Sequence, residues 1–207
     1  MQRVVTLLSK SFRHLYSLMR IRINKLITWW IFYSNNVYFK KFITNGIPFV
    51  MIARKGACTI GTNFKMNNGL LGNPIGRPQK CLFFVDNGAT LNIGDNVGIS
   101  STAIVAHKEI TIGNNVKIGG GVCIYDTDFH SLDSMHRKNQ TLDRQFEKKL
   151  PVSIKDNVFI GAHTTILKGV TIGENSIVGA CSLVTRSIPN NEIWAGNPAK
   201  FIKNISD

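Results

Sequence analysis

The sequence predicts a mainly β fold in which short parallel strands wind into a three-sided coil, with a helical segment before the coil and one long loop within it. An apolar residue recurs at every sixth position through much of residues 49–188, residues 1–48 carry a helical period, and residues 125–153 are polar without any period. A chain of 207 residues accommodates one such domain with an appendage. The expected units are therefore a helical segment (1–48), a coil (49–188) and a C-terminal tail (189–207).

The N-terminal segment is expected to form a basic amphipathic helix, because its apolar residues recur at steps of three and four. These residues are Leu7, Leu8, Phe12, Leu15, Tyr16, Met19, Ile23, Leu26, Ile27 and Trp30. An aromatic cluster of the kind enriched at membrane interfaces overlaps them. It consists of Trp29, Trp30, Phe32, Tyr33, Tyr38 and Phe39. Asn35-Asn36 is expected to interrupt the helix, and Asn45-Gly46-Ile47-Pro48 to end it.

The positive charge of the chain is concentrated in its first part. Residues 1–85 contain 13 Lys and Arg and no acid, whereas residues 86–207 contain 12 basic and 12 acidic residues. This asymmetry favours contact between residues 1–47 and an anionic surface, such as the inner face of a cytoplasmic membrane. The alternative is a helix packed on the coil or on a partner subunit, with its basic face in water. No nucleic-acid-binding module is recognisable, so nucleic acid is not an expected partner.

The cysteines and the start of the chain indicate a cytoplasmic protein without a metal site. Cys58, Cys81, Cys123 and Cys181 form no CxxC or Cys/His cluster, which argues against zinc, and scattered thiols are typical of a reducing compartment. A secretory signal is not expected, because basic residues interrupt the apolar region and no small-residue cleavage site follows. Residues 26–39, the longest charge-free stretch near the start, are too few for a helical membrane span.

The six-residue period is the main signal in the chain. In the last block it runs without a slip through Ile154, Ile160, Ile166, Ile172, Val178 and Val184. Upstream it runs through Ile93, Ile99 and Val105, and after a step of seven through Ile112, Ile118 and Ile124. Six residues fit one short strand and a turn, so the aliphatic residue should stack on its equivalent 18 residues later, as Ile154 would on Ile172. Asn-rich segments at 94–97 and 113–116 match corners where Gly or Asn tolerates positive φ.

The repeated Ile-Gly-x-x-x-x pattern resembles the hexapeptide-repeat family of left-handed β-helix acyltransferases over about residues 56–202. Within that family the sequence is most similar to the maltose- and galactoside-type O-acetyltransferases and to their relatives in capsule and lipopolysaccharide synthesis. The resemblance implies a left-handed parallel β-helix, a homotrimer, and acetyl-CoA as cosubstrate. It also implies direct transfer of acetyl to a sugar hydroxyl in the synthesis of a surface polysaccharide or lipopolysaccharide.

The loop at 125–153 is the expected place of the chemistry, because a long loop leaving a regular solenoid is usually functional. It begins Tyr-Asp-Thr-Asp-Phe-His-Ser-Leu-Asp, which resembles the family's catalytic stretch and puts His130 in the place of the catalytic histidine. A neutral histidine is suited to take the hydroxyl proton as the oxygen attacks the thioester. The second ring nitrogen needs an orienting partner, for which Asp126, Asp128 and Asp133 are the local candidates.

The resemblance also implies residues for the acceptor and for CoA. Where sugar-acetylating relatives carry an asparagine that holds the acceptor, this chain has Ser100 or Ser101, a departure that leaves the acceptor's identity open. Turn amides of the last coils and the tail from Trp194 to Lys200, which resembles the family's terminal element, are expected to hold CoA. The implied CoA-binding residues are Gly161, Ala162, Lys168, Gly179, Arg186, Trp194, Asn197, Pro198 and Lys200.

Three other functions fit parts of the pattern. An N-acetyltransferase acting on amino sugars or xenobiotics shares the coil, although the nucleotide-binding α/β domain that many carry is not recognisable. A γ-class carbonic anhydrase would need three zinc-binding histidines with one closely spaced pair, a spacing that His130 and His136 do not have. A membrane-associated scaffold without enzymatic activity would leave the His130 loop and the tail dispensable.

Overall fold

The computed structural model describes residues 2–73, 75–76 and 78–206, and it shows a parallel β-helix built from three sheets. Sheet 1 contains β1 (Tyr38–Phe39), β4 (Ala57–Ile60), β7 (Thr90–Ile93), β10 (Glu109–Ile112), β13 (Val152–Ile154) and β16 (Thr171–Ile172). Sheet 2 contains β2 (Phe42–Asn45), β5 (Phe64–Asn67), β8 (Gly98–Ser100), β11 (Lys117–Gly120), β14 (Phe159–Ile160), β17 (Ile177–Val178), β19 (Glu192–Ala195) and β20 (Lys200–Asn204). Sheet 3 contains β3 (Phe49–Ile52), β6 (Leu82–Val85), β9 (Ala103–Ala106), β12 (Cys123–Tyr125), β15 (Thr165–Ile166) and β18 (Leu183–Val184).

The three sheets form a prism, and the chain turns at three edges, which we call edge 1–2, edge 2–3 and edge 3–1 after the sheets they join. The inward residues of the last coils stack as the period predicted: Ile154 pairs with Ile172, and both are buried. Equivalent pairs join Ile160 to Val178, and Ile166 to Val184. Because each aliphatic residue contacts its equivalent one coil away, the hexad repeat is the direct signature of the core.

Edge 1–2 is stabilised by a ladder of asparagines in the left-handed backbone region. The ladder runs through Asn63, Asn96, Asn115, Asn157, Asn175 and Asn191, with φ between 58° and 62°. Each side-chain amide donates to the carbonyl oxygen of the next asparagine, at 2.8 to 3.1 Å. Asparagine tolerates this backbone conformation better than most residues and here satisfies its side chain at the same time. The Asn-rich corners were predicted correctly.

One inward position was assigned wrongly from the period. Val105 lies on the outer side of β9 and is only half-buried, whereas Ile104 is buried and pairs with Ile124. The turn before β9 is shorter than the repeat requires, so the period slips by one residue there. Ile60, in contrast, stacks on Ile93 as the first weak repeat suggested.

The first helix ends just before Asn35-Asn36, where an interruption was predicted, but residues 37–48 are not helical. Helix α1 covers Gln2–Ser34, and residues 38–52 already form the three strands of the first coil. The helical prediction for the part after Ser34 is therefore wrong. The reason is aromatic packing: Phe32 is fully buried at the end of α1, and its ring lies 5.4 Å from Phe39 and 5.3 Å from Phe42. These contacts close the end of the coil.

Two excursions leave the prism. The described residues between 68 and 81 leave edge 2–3 and contain the short helix α2 (Gly69–Gly72), which was not predicted. Residues 126–151 leave edge 3–1 and contain α3 (Ser134–Arg137) and α4 (Gln140–Gln145). The second excursion corresponds to the loop predicted at 125–153, but it begins one residue later and ends two residues earlier. Among the helices within the described residues, none has the length and apolar character needed to cross a membrane.

Candidate active site

The excursion at 126–151 is folded by local caps that follow from its sequence. Asp133 caps α3, accepting a hydrogen bond from the backbone N–H of Met135 at 2.8 Å. Asn139 caps α4, accepting from the backbone N–H groups of Thr141 and Leu142. Short polar side chains favour such caps because they satisfy helix N–H groups that lack an internal partner. Helix α4 then carries Asp143 to the start of the excursion.

His130 and Asp143 form a hydrogen-bonded pair at the open end of the excursion. The distance from His130 Nδ1 to Asp143 Oδ2 is 2.7 Å. The other carboxylate oxygen accepts a hydrogen bond from the backbone N–H of Ser131, also at 2.7 Å. The His130 side chain is 69% exposed and that of Asp143 is 14% exposed. The bond from His130, followed by that from Ser131, holds the pKa of the Asp143 carboxyl below its ordinary value.

The predicted orienting partners of His130 are corrected by this geometry. Asp126 is fully buried and accepts three backbone N–H bonds from residues 107–109, each at 2.7 Å, so it shapes the turn between β9 and β10. Asp128 pairs with Lys168 at 2.5 Å. Asp133 is the cap of α3 and lies 3.7 Å from His136. The residue that bonds to His130 is Asp143, thirteen positions further along the chain.

A second histidine–carboxylate pair, which sequence reasoning missed, lies at the base of the excursion. His107 Nδ1 lies 2.6 Å from Glu147 Oε1, and their side chains are only 15% and 4% exposed. Glu147 also accepts a short hydrogen bond from Thr127 and faces Lys149 at 3.6 Å. The ring of Phe129 packs on His107 at 5.7 Å. This pair ties the turn before β10 to both ends of the excursion.

The two predicted acceptor serines are in different environments on edge 2–3. Ser101 is buried, donating to the Gln79 carbonyl at 2.8 Å and accepting from the Asn73 amide at 2.8 Å, so the first excursion covers it. Ser100 is half-exposed, and its hydroxyl accepts from the Asn67 amide at 3.1 Å. Ser100 lines an open groove of about 310 Å³ on sheet 2 that also includes Lys65, Lys117 and Phe159.

The predicted turn residues for CoA also lie on edge 2–3. Gly161 and Ala162 follow β14, and Gly179 follows β17 one coil later. A Cβ at Gly161 would come within 2.4 Å of the Ala180 backbone nitrogen. The stacking of the coils therefore requires glycine here whatever the ligand.

The tail forms a second candidate surface. Residues 192–195 and 200–204 pair as an antiparallel hairpin that closes sheet 2. Four predicted residues, Arg186, Trp194, Pro198 and Lys200, line a cavity of about 270 Å³ together with Ala199 and Phe201. Asn197 is exposed beside it.

Lys168 stands apart from the other predicted CoA residues. It lies on edge 3–1, beside the His130 excursion, and its ammonium group is engaged by Asp128. Lys168 therefore fastens the excursion to the next coil.

The candidate groups of one chain are thus divided between two edges. His130 and Asp143 lie at edge 3–1, whereas Ser100, Gly161 and Gly179 lie along edge 2–3. Within the described residues, no group of three or more His, Cys, Asp and Glu side chains is placed to hold a metal ion.

The sequence matches a known protein family and several characterised or named relatives. The bacterial transferase hexapeptide family (six repeats) matches residues 151–186. The putative lipopolysaccharide biosynthesis O-acetyl transferase WbbJ of Escherichia coli K12 is 35% identical over 155 residues, which cover 73% of this chain and 74% of that protein. Galactoside O-acetyltransferase of the same organism is 39% identical over 121 residues, which cover 58% of this chain and 57% of that protein.

A solved structure agrees with these relatives. A galactoside acetyltransferase in complex with coenzyme A superposes with a TM-score of 0.51 at 29% identity, and the match covers 81% of this chain and 66% of that one. The chain spans less than two thirds of the length of the galactoside O-acetyltransferase and of other curated relatives that it matches.

Proposed function

Because the chain belongs to the hexapeptide-repeat acetyltransferase family, which is built on the left-handed parallel β-helix, we propose that it transfers acetyl from acetyl-CoA to a sugar hydroxyl. The acceptor class is supported by the two relatives named for acetylation of a galactoside and for lipopolysaccharide synthesis. We place the reaction in the synthesis of a surface polysaccharide or lipopolysaccharide. The observation that carries the proposal is the exposed His130, bonded to Asp143 through one ring nitrogen.

The pair with Asp143 suits His130 to act as a general base. An ionised carboxylate only accepts hydrogen bonds, so the proton between the two groups belongs to His130 Nδ1. In the neutral imidazole Nε2 is then the acceptor. Asp143 is ionised at neutral pH, and the hydrogen bonds that lower its pKa stabilise this charged form. The result is an exposed histidine with a fixed tautomer and a basic nitrogen free to meet an acceptor hydroxyl.

The reaction needs no covalent enzyme intermediate. His130 Nε2 takes the proton of the sugar hydroxyl while the oxygen attacks the thioester carbonyl carbon of acetyl-CoA. The resulting tetrahedral intermediate collapses with cleavage of the C–S bond. The imidazolium returns its proton to the CoA sulfur, which gives a sugar acetate ester and free CoA thiol. A positioned base of this kind contributes about 10²–10⁴-fold to the rate.

A homotrimer would complete the site. In one chain His130 lies on edge 3–1, while Ser100 and Gly161 lie on edge 2–3. A threefold assembly that sets edge 3–1 of one copy against edge 2–3 of the next would bring base and acceptor groups together between subunits. The same packing would remove water from the exposed face of His130, which strengthens every polar contact in the site.

We assign CoA to edge 2–3 and the tail. Gly161, Ala162 and Gly179 lie along that edge, where the N–H groups of the two glycines already donate to the Val178 and Trp194 carbonyls of neighbouring coils. The tail cavity places Arg186 and Lys200 where they can meet phosphate oxygens. Trp194 and Pro198 supply the apolar wall of that cavity, and Asn197 lies exposed at its rim. Lys168 is not included, because Asp128 holds it at the other edge.

The test is release of CoA thiol by the full-length protein against a panel of simple sugars and extracted surface glycans. His130→Ala should lower acceptor-dependent release at least about a hundredfold, whereas the control His14→Ala, an exposed histidine on α1, should not change it. Release that His130→Ala leaves unchanged would remove His130 as the base. If acetyl-CoA neither binds nor releases thiol with any acceptor, the chain is a scaffold and the enzymatic proposal fails.

A further inference from the structure

Helix α1 turns its polar side towards the coil and its apolar side towards water, whereas a helix packed on a core usually does the opposite. The side towards the coil is mostly polar: Asn24 is 7% exposed and Thr28 is fully buried. Arg20 lies on the same side and donates to the Leu71 carbonyl at 2.8 Å and to the Asn45 side-chain oxygen at 3.4 Å. Apart from Phe32 at its end, the helix therefore contacts the body of the protein through a polar stripe.

The opposite side of α1 is apolar and faces water. Its residues follow one another at steps of three and four, so they form a continuous stripe along the helix. The outward stripe consists of Leu8, Phe12, Leu15, Met19, Ile23, Leu26, Trp30 and Tyr33, each between 51% and 72% exposed. Leu15 and Asn24 are nine positions apart, which is about two and a half helical turns, so the two stripes lie on opposite sides of α1. An apolar surface of this length on a soluble protein marks a binding surface.

The charge of the helix identifies the kind of partner. Helix α1 carries six Lys and Arg and no acid, and the whole stretch from residue 1 to residue 85 contains no acid. A second copy of α1 packed on the stripe would bring like charges together with no acid of this region to offset them. A partner with an apolar interior and a negatively charged surface would match both the apolar outward stripe and the basic residues of α1. Trp30 and Tyr33, with Trp29 stacked on Tyr33 at 5.3 Å, are the side chains that favour the boundary between lipid and water.

We propose that α1 docks the protein on a bilayer containing anionic phospholipid, with the outward stripe lying among the headgroups and the coil standing on the water side. The two hydrogen bonds of Arg20 and the burial of Asn24 and Thr28 against the body of the protein hold the stripe facing away from the coil. Lys25 and Arg22 are close enough to the stripe to reach phosphate groups, and their long side chains can extend towards the interface. This proposal does not depend on the acetyl-transfer chemistry.

The experiment is flotation of the full-length protein with two kinds of vesicle, phosphatidylcholine alone and phosphatidylcholine mixed with phosphatidylglycerol. Leu15→Glu/Leu26→Glu breaks the outward stripe, and Thr6→Glu/Ser9→Glu is the matched control, since it adds the same charge at exposed polar positions. Wild type should bind the anionic vesicles more strongly, and added salt should weaken binding. The stripe variant should need at least about tenfold more lipid for half-binding, and the control at most about threefold more.

Several outcomes would overturn the proposal. One is wild-type protein that floats with neither vesicle, and another is an equal loss of binding in both variants. A third is a stripe variant that changes the elution volume in size-exclusion chromatography while lipid binding stays as in wild type, since the stripe would then cover another copy or a protein. Thermal unfolding of both variants controls for the fold. Thiol release with a water-soluble acceptor, measured on the same samples, separates a failure of docking from a failure of the enzymatic proposal.

Discussion

Two histidine–carboxylate pairs, one within the excursion at 126–151 and one at its base, have almost the same geometry. The nitrogen–oxygen distances are 2.7 Å for His130 and Asp143 and 2.6 Å for His107 and Glu147. Their surroundings differ: the His130 side chain is 69% exposed, whereas that of His107 is 15% exposed. His107 is also packed between the rings of Phe84 and Phe129.

The difference shows that a bond to a carboxylate does not by itself make a histidine a base. His130 has one ring nitrogen fixed and the other open to an incoming hydroxyl. The inner pair, His107 and Glu147, is enclosed. The Glu147 carboxylate contacts His107 in the neighbouring turn, Thr127 at the start of the excursion and Lys149 at its end. The outer pair is thus arranged for chemistry and the inner pair for holding the excursion in place.

The substitution with the largest expected effect is Asp143→Asn, which tests whether the outer pair takes part in the chemistry. The amide would remove the charge that fixes the His130 tautomer, and we expect kcat for acetyl transfer to fall about a hundredfold with little change in KM. Asp156→Asn is the matched control, because Asp156 also accepts two bonds, both from Asn114, and its pKa is also lowered by them. It lies on edge 1–2, away from the site. Equal loss of kcat in both variants would mean that Asp143 only stabilises the fold.

The inner pair should respond in the opposite way. Glu147→Gln leaves three partners without a charged acceptor in a nearly enclosed place, so we expect a loss of about 1–3 kcal/mol in the free energy of unfolding or of local opening. Urea denaturation and proteolysis within residues 126–151 measure it. Glu174→Gln, at an exposed carboxylate, should change neither. If Glu147→Gln lowered kcat while the excursion stayed as resistant to protease as in wild type, the inner pair would belong to the chemistry.

Much of the coil could be predicted because its contacts repeat at a fixed distance in sequence. Ile154 rests on Ile172 and Asn157 donates to Asn175, so spacing alone reports the core and the corner. The first coil was missed for the opposite reason. Its strands are held by Phe32 and by residues further along, such as Phe64 and Phe83, and no local period carries that information.

The site was only partly predictable. His130 stands in a recognisable stretch, but its partner Asp143 comes from a helix whose position depends on the fold of the whole excursion. The acids closest in sequence, which were the candidates to orient His130, have other partners. Asp126 accepts hydrogen bonds from backbone N–H groups, and Asp128 forms an ion pair with Lys168. The one signal available was that the excursion contains further acids, Asp143 and Glu147, in a chain with 12 acids in all.

The smallest effect that we expect is a change with pH in the stability that the pair of His130 and Asp143 contributes. The bond from His130 lowers the pKa of Asp143 in the folded protein relative to its unfolded value of about 3.9. A carboxyl with a lowered pKa contributes stability above the unfolded value, and that contribution is lost as the pH falls through the folded value. The difference in unfolding free energy between wild type and Asp143→Asn should therefore be smaller below about pH 4 than at about pH 5. It should be small throughout because the pair is open to water. Urea denaturation between about pH 5 and about pH 3 checks the sign. A difference that grows below about pH 4 would show that the Asp143 carboxyl is not stabilised as a charged group.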